Sequence, residues 1–266
     1  DLYITADAGR LGAFDAKGML QSGLTSDVIK AAVPSNFRTS KWVGIAKRAR
    51  IVYFAPERVS GAELVGLTYE SLADPKWNGR LVIRKSNNIY NQSLVASLVK
   101  NNGKKATAEW AKAVVSNMAR DPKGNDRGQM TAVVLGKCDV TLANTYYLGK
   151  WISSNKESER EYAKKIKVLF PNQNNRGSHI NISGAFVTKY AKNKNNAIKL
   201  IEFLASDKAQ EIYAKQNHEY PIRQNIDVSD IVKSWGYPFK MDSMNLTNLG
   251  ILNDKAGKVF DVAKWK

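Results

Sequence analysis

The feature of the sequence that most constrains the fold is an alternation of short apolar runs with amphipathic helical patterns. Runs such as 2–5, 49–54 and 138–143 are rich in apolar and β-branched residues, which is typical of buried strands. The runs 42–45 and 49–54 are predicted as two strands or as one long strand. Between such runs, the segments 92–100, 106–117 and 129–135 place apolar residues every three to four positions, as a helix with one buried face does. Asp7 is predicted as a helix cap or loop anchor, and Asp207 as the cap of a helix over 207–217. Strands that alternate with helices almost throughout a chain predict an α/β protein.

The length and composition are those of a globular protein with a sizeable core. The chain has 266 residues, 43% of them hydrophobic and 24% charged, which predicts two domains or one large domain. No apolar run approaches the length that spans a bilayer, so we predict no direct membrane insertion. The first residues lack a basic region and a cleavage motif, which predicts either a cytosolic protein or a mature exported one without its signal peptide.

The charge balance raises the hypothesis of a nucleic-acid-binding protein. Lys and Arg number 41 against 24 Asp and Glu, a net charge of +17. However, the basic residues are spread along the chain, with only short clusters at 47–50 and 164–167. No zinc-finger, basic-zipper or RNA-recognition motif occurs, and no basic stripe is interleaved with aromatic residues. A basic surface without nucleic-acid binding is therefore the favoured interpretation, and nucleic-acid binding remains the distant alternative.

The common catalytic motifs are missing from the sequence. Cys138 is the only cysteine, which excludes an internal disulfide and a cysteine-based metal site. His179 and His218 are far apart, without the spacing of a zinc enzyme. No Gly-x-Ser-x-Gly elbow and no glycine-rich phosphate loop is present. We therefore predict that the chain is not an enzyme.

Tyr90, Tyr146 and Tyr147 are the candidate metal ligands. Tyr90 opens the helical segment 92–100, and the tyrosine pair follows the predicted strand 138–143. In open α/β sheets, ligands bind outside the carboxyl ends of strands. Neighbouring strand residues point to opposite faces, so joint use of Tyr146 and Tyr147 requires a turn there, for which Gly149 provides a break. Two interpretations remain open: ordinary packing of aromatic rings, or three phenol oxygens that converge on a hard cation.

Arg48 and Arg50 alternate on a predicted strand, so their side chains point to the same side. One interpretation is a solvated basic face. The other is an arginine in a cleft, paired with an anion or with a phenolate neighbour of a metal.

Several segments of the chain resemble the periplasmic ferric-iron-binding proteins of bacterial ABC transporters. They contain the tyrosines, the Asp7 turn and the His179 region, and they occur in the family's order over nearly the whole chain. The segments are 5–11, 90–93, 117–126, 144–147, 177–184 and 219–221.

The resemblance implies a two-lobed periplasmic-binding-protein fold of type II, with a hinge and a central ligand cleft. Lobe 1 is predicted as residues 1–48 plus 170–222, and lobe 2 as residues 49–169 plus 223–266. In the family a further strand-helix unit precedes the segment that matches 2–7, and it often contributes another His or Tyr ligand. We expect that unit to be missing from this sequence, which would leave lobe 1 incomplete.

The resemblance also implies a function. Tyr90, Tyr146 and Tyr147 match family tyrosines that bind Fe(3+) in the cleft between the lobes. Arg48, or failing that Arg50, matches an arginine that lies beside the iron or holds a carbonate-like anion. The implied protein is a periplasmic monomer whose signal peptide has been removed, and it delivers ferric iron to an inner-membrane ABC permease. The nearest alternative is a protein of the same fold for a small anion or a polyamine, although such sites normally use Asp, Trp or Arg.

Overall fold

The computed structural model describes residues 1–266, which divide into two compact units. Unit 1 consists of Asp1–Arg48, Asn181–Asp230 and Met244–Ile251, and unit 2 consists of Ala49–Ile180, Ile231–Ser243 and Leu252–Lys266. These bounds differ from the predicted lobes, because residues 170–180 belong to unit 2 and residues 223–230 and 244–251 belong to unit 1. The assignment of functional lobes stays a prediction.

Six strands and thirteen α-helices make up the regular structure. The strands are β1 Leu2–Ala6, β2 Val43–Phe54, β3 Leu81–Val82, β4 Val140–Asn144, β5 Lys167–Leu169 and β6 Ile180–Val187. The helices are α1 Ala8–Ala16, α2 Asp27–Ala32, α3 Gly61–Leu64, α4 Ile89–Asn102, α5 Lys104–Ser116, α6 Asp126–Val134, α7 Tyr146–Ile152, α8 Glu157–Lys164, α9 Lys194–Leu204, α10 Asp207–Gln216, α11 Asp230–Ser234, α12 Thr247–Ile251 and α13 Asn253–Ala263. Single 3₁₀ turns cover Ser35–Phe37, Glu70–Ala73 and Pro75–Trp77. None of these helices has both the length and the hydropathy needed to cross a bilayer.

Unit 1 is organised around β1, β6 and helix α1. Strand β1 pairs antiparallel with β6, from Leu2 opposite Val187 to Ala6 opposite Ser183. The predicted cap at Asp7 is confirmed, because its carboxylate accepts the Gly9 amide at 2.7 Å at the start of α1. Helix α1 then packs on α12 so closely that a Cβ on Gly12 would lie 2.8 Å from the Gly250 Cα. This approach is possible only because both positions are glycine.

Unit 2 contains a mixed sheet that delivers the tyrosine pair. Strand β4 pairs antiparallel with β2, from Arg50 opposite Asn144 to Phe54 opposite Val140, and β3 lies parallel to β4. Strand β5 pairs with β2 as well. Every residue of β4 is buried, so the strand holds its carboxyl end at a well-defined position in the unit. The side chains that follow Asn144 are placed by this strand.

Helices α4, α5 and α13 form the other side of unit 2. Asn88 caps α4, and Gly103, with φ of 80°, ends α4 and begins α5. The rings of Trp110 on α5 and Trp265 after α13 lie with their centroids 6.1 Å apart. Helix α4 contacts both α5 and α13, and Tyr90 lies at the start of α4.

The predicted α/β class is confirmed, and two local expectations are wrong. Residues 42–54 were predicted as either two strands or one, and the structure has the single strand β2 there. The strand at 2–5 was expected to be buried, but Tyr3 and Ile4 are 46% and 48% exposed because they lie on the edge strand β1. Helix α10 was expected to be capped by Asp207, whereas Ser206 is the cap and accepts the Ala209 amide.

Candidate metal centre

The three candidate tyrosines all lie in the first turn of a helix of unit 2. Tyr90 is the second residue of α4, and Tyr146 and Tyr147 are the first two residues of α7. Helix α7 starts after Thr145, immediately beyond the end of β4. The turn required by the sequence is therefore a strand-to-helix junction, and Gly149 lies buried within α7 instead of breaking the chain.

The phenol groups of these tyrosines form one cluster. The hydroxyl oxygens of Tyr146 and Tyr90 are 3.5 Å apart. The rings of Tyr146 and Tyr147 have centroids 4.3 Å apart, so the third phenol lies beside the other two. All three side chains are half-buried. Tyr90 and Tyr146, which are 56 positions apart in the chain, thus bring two hard oxygen atoms together, and Tyr147 adds a third phenol beside them.

The surroundings of the phenols favour their protonated form. Burial raises the pKa of Tyr146, and the neighbouring Tyr90 and Tyr147 hydroxyls raise it further. The pKa of Tyr147 is also raised, mainly by burial and then by the carboxylate of Asp126. Without a cation these two side chains are neutral phenols at physiological pH. A cation that uses the oxygens as phenolates must displace protons.

Arg50 lies directly beside the cluster. Its guanidinium carbon is 5.9 Å from the centroid of the Tyr90 ring. The side chain is buried, with Nη1 donating to Asp126 Oδ1 at 2.8 Å and Nη2 donating to Asn91 Oδ1 at 2.8 Å. A longer bond of 3.4 Å joins Nη1 to Asn144 Oδ1. Of the two predicted arginines, Arg50 is therefore the one placed next to Tyr90 within unit 2.

Arg48 belongs to unit 1. Its Nη2 donates to Ser183 Oγ at 2.6 Å, and its Nε lies 3.7 Å from Glu219 Oε1. Arg48 and Arg50 are both 2% exposed, so the interpretation of a solvated basic face is wrong for both. A role for Arg48 beside a bound metal or anion stays a prediction.

Asp126 is a part of the site that the sequence did not reveal. It is the first residue of α6 and is fully buried. Its Oδ1 accepts Arg50, and its Oδ2 accepts Arg84 Nη1 at 2.7 Å. Asp126 falls in one of the segments that carry the family resemblance, but no spacing rule pairs it with an arginine 76 positions earlier. Only the packing of α6 against β4 brings the two side chains together.

The other residues considered as ligands lie in the core. Cys138 is buried, and burial raises the pKa of its thiol to about 12, which is the behaviour of core filler. His179 is buried too, and desolvation followed by the charges of Arg50 and Arg176 lowers its pKa to about 3. No group of three His, Cys, Asp or Glu side chains lies close enough together to hold a metal ion. Phenol oxygens are hard donors of the kind that a hard cation prefers, and their use as ligands stays a prediction.

The fold and this site together define a solute-binding protein of the α/β class. Residues 1–240 match the family described as bacterial extracellular solute-binding protein, and the chain belongs to that family. The predicted type II binding-protein fold is confirmed by the structural neighbours described below.

Three relatives show how close the similarity is. Iron uptake protein A1 of Synechocystis sp. is 44% identical over 100% of this chain and 73% of its own length. A Trichodesmium protein (IdiA, FutA), solved with iron and citrate ligands, is also 44% identical, with a TM-score of 0.95 over 100% of this chain and 84% of its own. The ferric binding protein of Campylobacter jejuni is 34% identical, with a TM-score of 0.95 over 100% of this chain and 84% of its own. The predicted family resemblance is confirmed.

Proposed function

We propose that this chain binds ferric iron through the phenol oxygens of Tyr90, Tyr146 and Tyr147 and delivers it to an ABC permease of the inner membrane. It acts in the periplasm as a monomeric transport protein and not as an enzyme. The observation that carries the proposal is the 3.5 Å approach of the Tyr90 and Tyr146 hydroxyls, with the Tyr147 ring packed against the Tyr146 ring at 4.3 Å between centroids. The names of the relatives, which include an iron uptake protein and ferric binding proteins, support the same cargo.

The chemistry of the cluster suits a ferric ion. Fe(3+) is a hard trivalent cation, and phenolate oxygen is a hard anionic ligand. Three phenolates neutralise its three charges, so the loaded site can stay half-buried without a large cost of desolvation. Reduction to Fe(2+) would leave one negative charge in excess and weaken binding. One-electron reduction by an external electron donor would therefore favour release of the iron.

The cluster supplies three ligands, and an anion can complete the coordination. Arg50 places a positive charge beside Tyr90 and limits the surplus of negative charge that an added anion brings. We propose a carbonate-like or carboxylate anion in this role, and the citrate in the Trichodesmium structure supports it. Arg50 itself would lie next to the iron without binding it.

A ferric titration tests the proposal. Purified protein is mixed with a ferric chelate at neutral pH, and phenolate-to-iron charge transfer should colour the complex. Tyr146→Phe and Tyr147→Phe should each weaken binding strongly, whereas the control Tyr162→Phe, whose ring packs on Trp151 at 5.8 Å, should bind as the wild type does. A wild-type protein that stays colourless and takes up no ferric iron would refute the proposal. Calorimetry with small anions and polyamines would then test the alternative solutes.

A further inference from the structure

The carboxylate of Asp126 is shared by two arginines beneath the tyrosine cluster. It accepts Arg50 at 2.8 Å and Arg84 at 2.7 Å, and its side chain is 0% exposed. A buried charge is tolerated only when it is paired, and here both oxygens of one carboxylate are used. The arrangement fixes the direction of the Arg50 guanidinium.

The other acceptors of Arg50 belong to the elements that carry the tyrosines. Asn91 is the residue after Tyr90 on α4, and its Oδ1 accepts Arg50 Nη2. Asn144 is the last residue of β4, two positions before Tyr146, and its Oδ1 accepts Nη1. The planar guanidinium therefore joins the start of α4, the end of β4 and the start of α6. Because the guanidinium is rigid and planar, its hydrogen bonds to these three acceptors hold the elements at a fixed spacing.

The Asn144 side chain extends this connection to the phenols. Its Nδ2 lies 3.5 Å from the hydroxyl of Tyr146, which is in turn 3.5 Å from the hydroxyl of Tyr90. A continuous path thus runs from Asp126 through Arg50 and Asn144 to the phenol oxygens. Asp126 itself is not one of the proposed ligands.

We propose that Asp126 is a positioning residue for the metal site, which acts through Arg50 to hold the three phenols together before the metal arrives. The inference rests on the proposed function, because it concerns how well the cluster takes up ferric iron. Residues that orient metal ligands typically change metal affinity by about 10- to 100-fold when they are mutated. The phenol cluster is then preformed, and the ion does not have to assemble it.

Asp139 provides a matched control. It also shares one carboxylate between two arginines of unit 2, accepting Arg58 Nε at 2.8 Å and Arg80 Nε at 2.6 Å. It lies just before the first residue of β4, whereas the tyrosine pair follows the last one. Its loss should destabilise the fold without changing the cluster.

The experiment compares Asp126→Asn, Asp126→Glu and Asp139→Asn in the full chain. Ferric affinity is measured against a competing chelator, with the charge-transfer absorption per bound iron and the melting temperature as further readouts. Asp126→Asn should lose about 10- to 100-fold in affinity and shift or weaken the absorption band. Asp126→Glu, which keeps the charge, should recover part of the loss. Asp139→Asn should have a lower melting temperature. Its ferric affinity should stay within about twofold of that of the wild type and its absorption band should be unchanged, because Asp139 does not orient the phenol ligands.

A second variant covers the case in which Asp126→Asn does not fold. Arg50→Lys keeps the positive charge but carries all its donors on one nitrogen atom, so it cannot span the three acceptors as the planar guanidinium does. It should show the same loss of affinity and the same change in the band. Wild-type affinity and absorption in a folded Asp126→Asn or Arg50→Lys protein would refute the positioning role. An equal loss in Asp139→Asn would refute it as well, because general destabilisation would then explain the effect. A wild type that binds no ferric iron would instead refute the proposed function.

Discussion

Replacing Tyr146 by phenylalanine is the most direct test of phenolate binding, because its hydroxyl is central to the cluster. It lies 3.5 Å from the Tyr90 hydroxyl and 3.5 Å from Asn144 Nδ2. The ring has partners that the substitution leaves in place: Tyr147 at 4.3 Å between centroids and the Lys150 ammonium 5.3 Å from its centre. Tyr146→Phe should therefore remove one oxygen ligand while the fold is retained.

The size of the effect follows from counting protons. A free phenol has a pKa of about 10, and burial raises that of Tyr146, so each phenol that binds iron as phenolate releases one proton near neutral pH. Three such ligands make the logarithm of the apparent affinity rise by about three for each pH unit, and two make it rise by about two. Affinity thus falls as pH falls, and the variant should lose about one unit of that slope.

The assay is a ferric competition titration at several pH values between 6 and 8, carried out on the wild type and the variant with the same chelator. Comparing the two proteins cancels the pH dependence of the chelator and of ferric hydrolysis. Tyr162→Phe should keep the wild-type slope. An identical slope for Tyr146→Phe and wild type would show that Tyr146 releases no proton on binding, and the reasoning would fail.

Three further predictions concern stability. Burial lowers the pKa of Lys47 to about 8, so the charged side chain destabilises the folded state at pH 7, and Lys47→Met should raise the free energy of unfolding in urea by about 2 kcal/mol. Between about pH 8 and 10.5 Lys47 is protonated in the unfolded chain but not in the folded one, so the free energy of unfolding of the wild type should rise over that range. If Lys47→Met were still more stable than the wild type above about pH 10.5, the charge of Lys47 would not be the cause. His179 stays neutral in the folded state down to about pH 3, so stability should fall by up to about 1.4 kcal/mol per unit as pH drops below about 6.5, and His179→Asn should flatten that fall; an unchanged acid profile would contradict it. Gly177→Ala should lower the melting temperature, with a loss on the order of 2 kcal/mol, because its Cβ would lie 2.6 Å from the Lys240 carbonyl oxygen at a φ of 92°, whereas Gly257→Ala, with open space around it, should not.

Local patterns predicted the helices of unit 2 well. The segments expected at 92–100, 106–117 and 129–135 correspond to α4, α5 and α6, with ends that differ by a few residues. Helical periodicity is a property of neighbouring residues, so it can be recognised without knowledge of the rest of the fold. The exposure of β1 could not be recognised in this way, because it depends on whether another strand covers its outer edge.

The chemistry of the site was also visible in the residue types, but its geometry was not. Three tyrosines near a strand end and a helix start indicated oxygen ligation of a hard cation, with ring packing as the alternative. Whether Tyr90 meets Tyr146 depends on how α4 packs beside β4. The structure brings their hydroxyls together, while their role as ligands stays a proposal.

The positions of the two arginines and of Asp126 could not be predicted from the sequence. Alternation on one strand made Arg48 and Arg50 equivalent, and the resemblance favoured Arg48. In the structure Arg50 pairs with Asp126 and lies beside Tyr90, while Arg48 bonds within unit 1. Nothing in the sequence connects Asp126 with Arg50.

The α/β class, the family resemblance and the candidate phenol ligands could all be recognised in the sequence, because periodicity and residue type are local properties of the chain. Which phenols meet, which arginine lies beside them and which carboxylate holds that arginine depend on tertiary packing. These contacts join residues 41 to 94 positions apart. Such proximity is set by the packing of whole helices and strands, and the burial of charge then selects the partners that can neutralise one another.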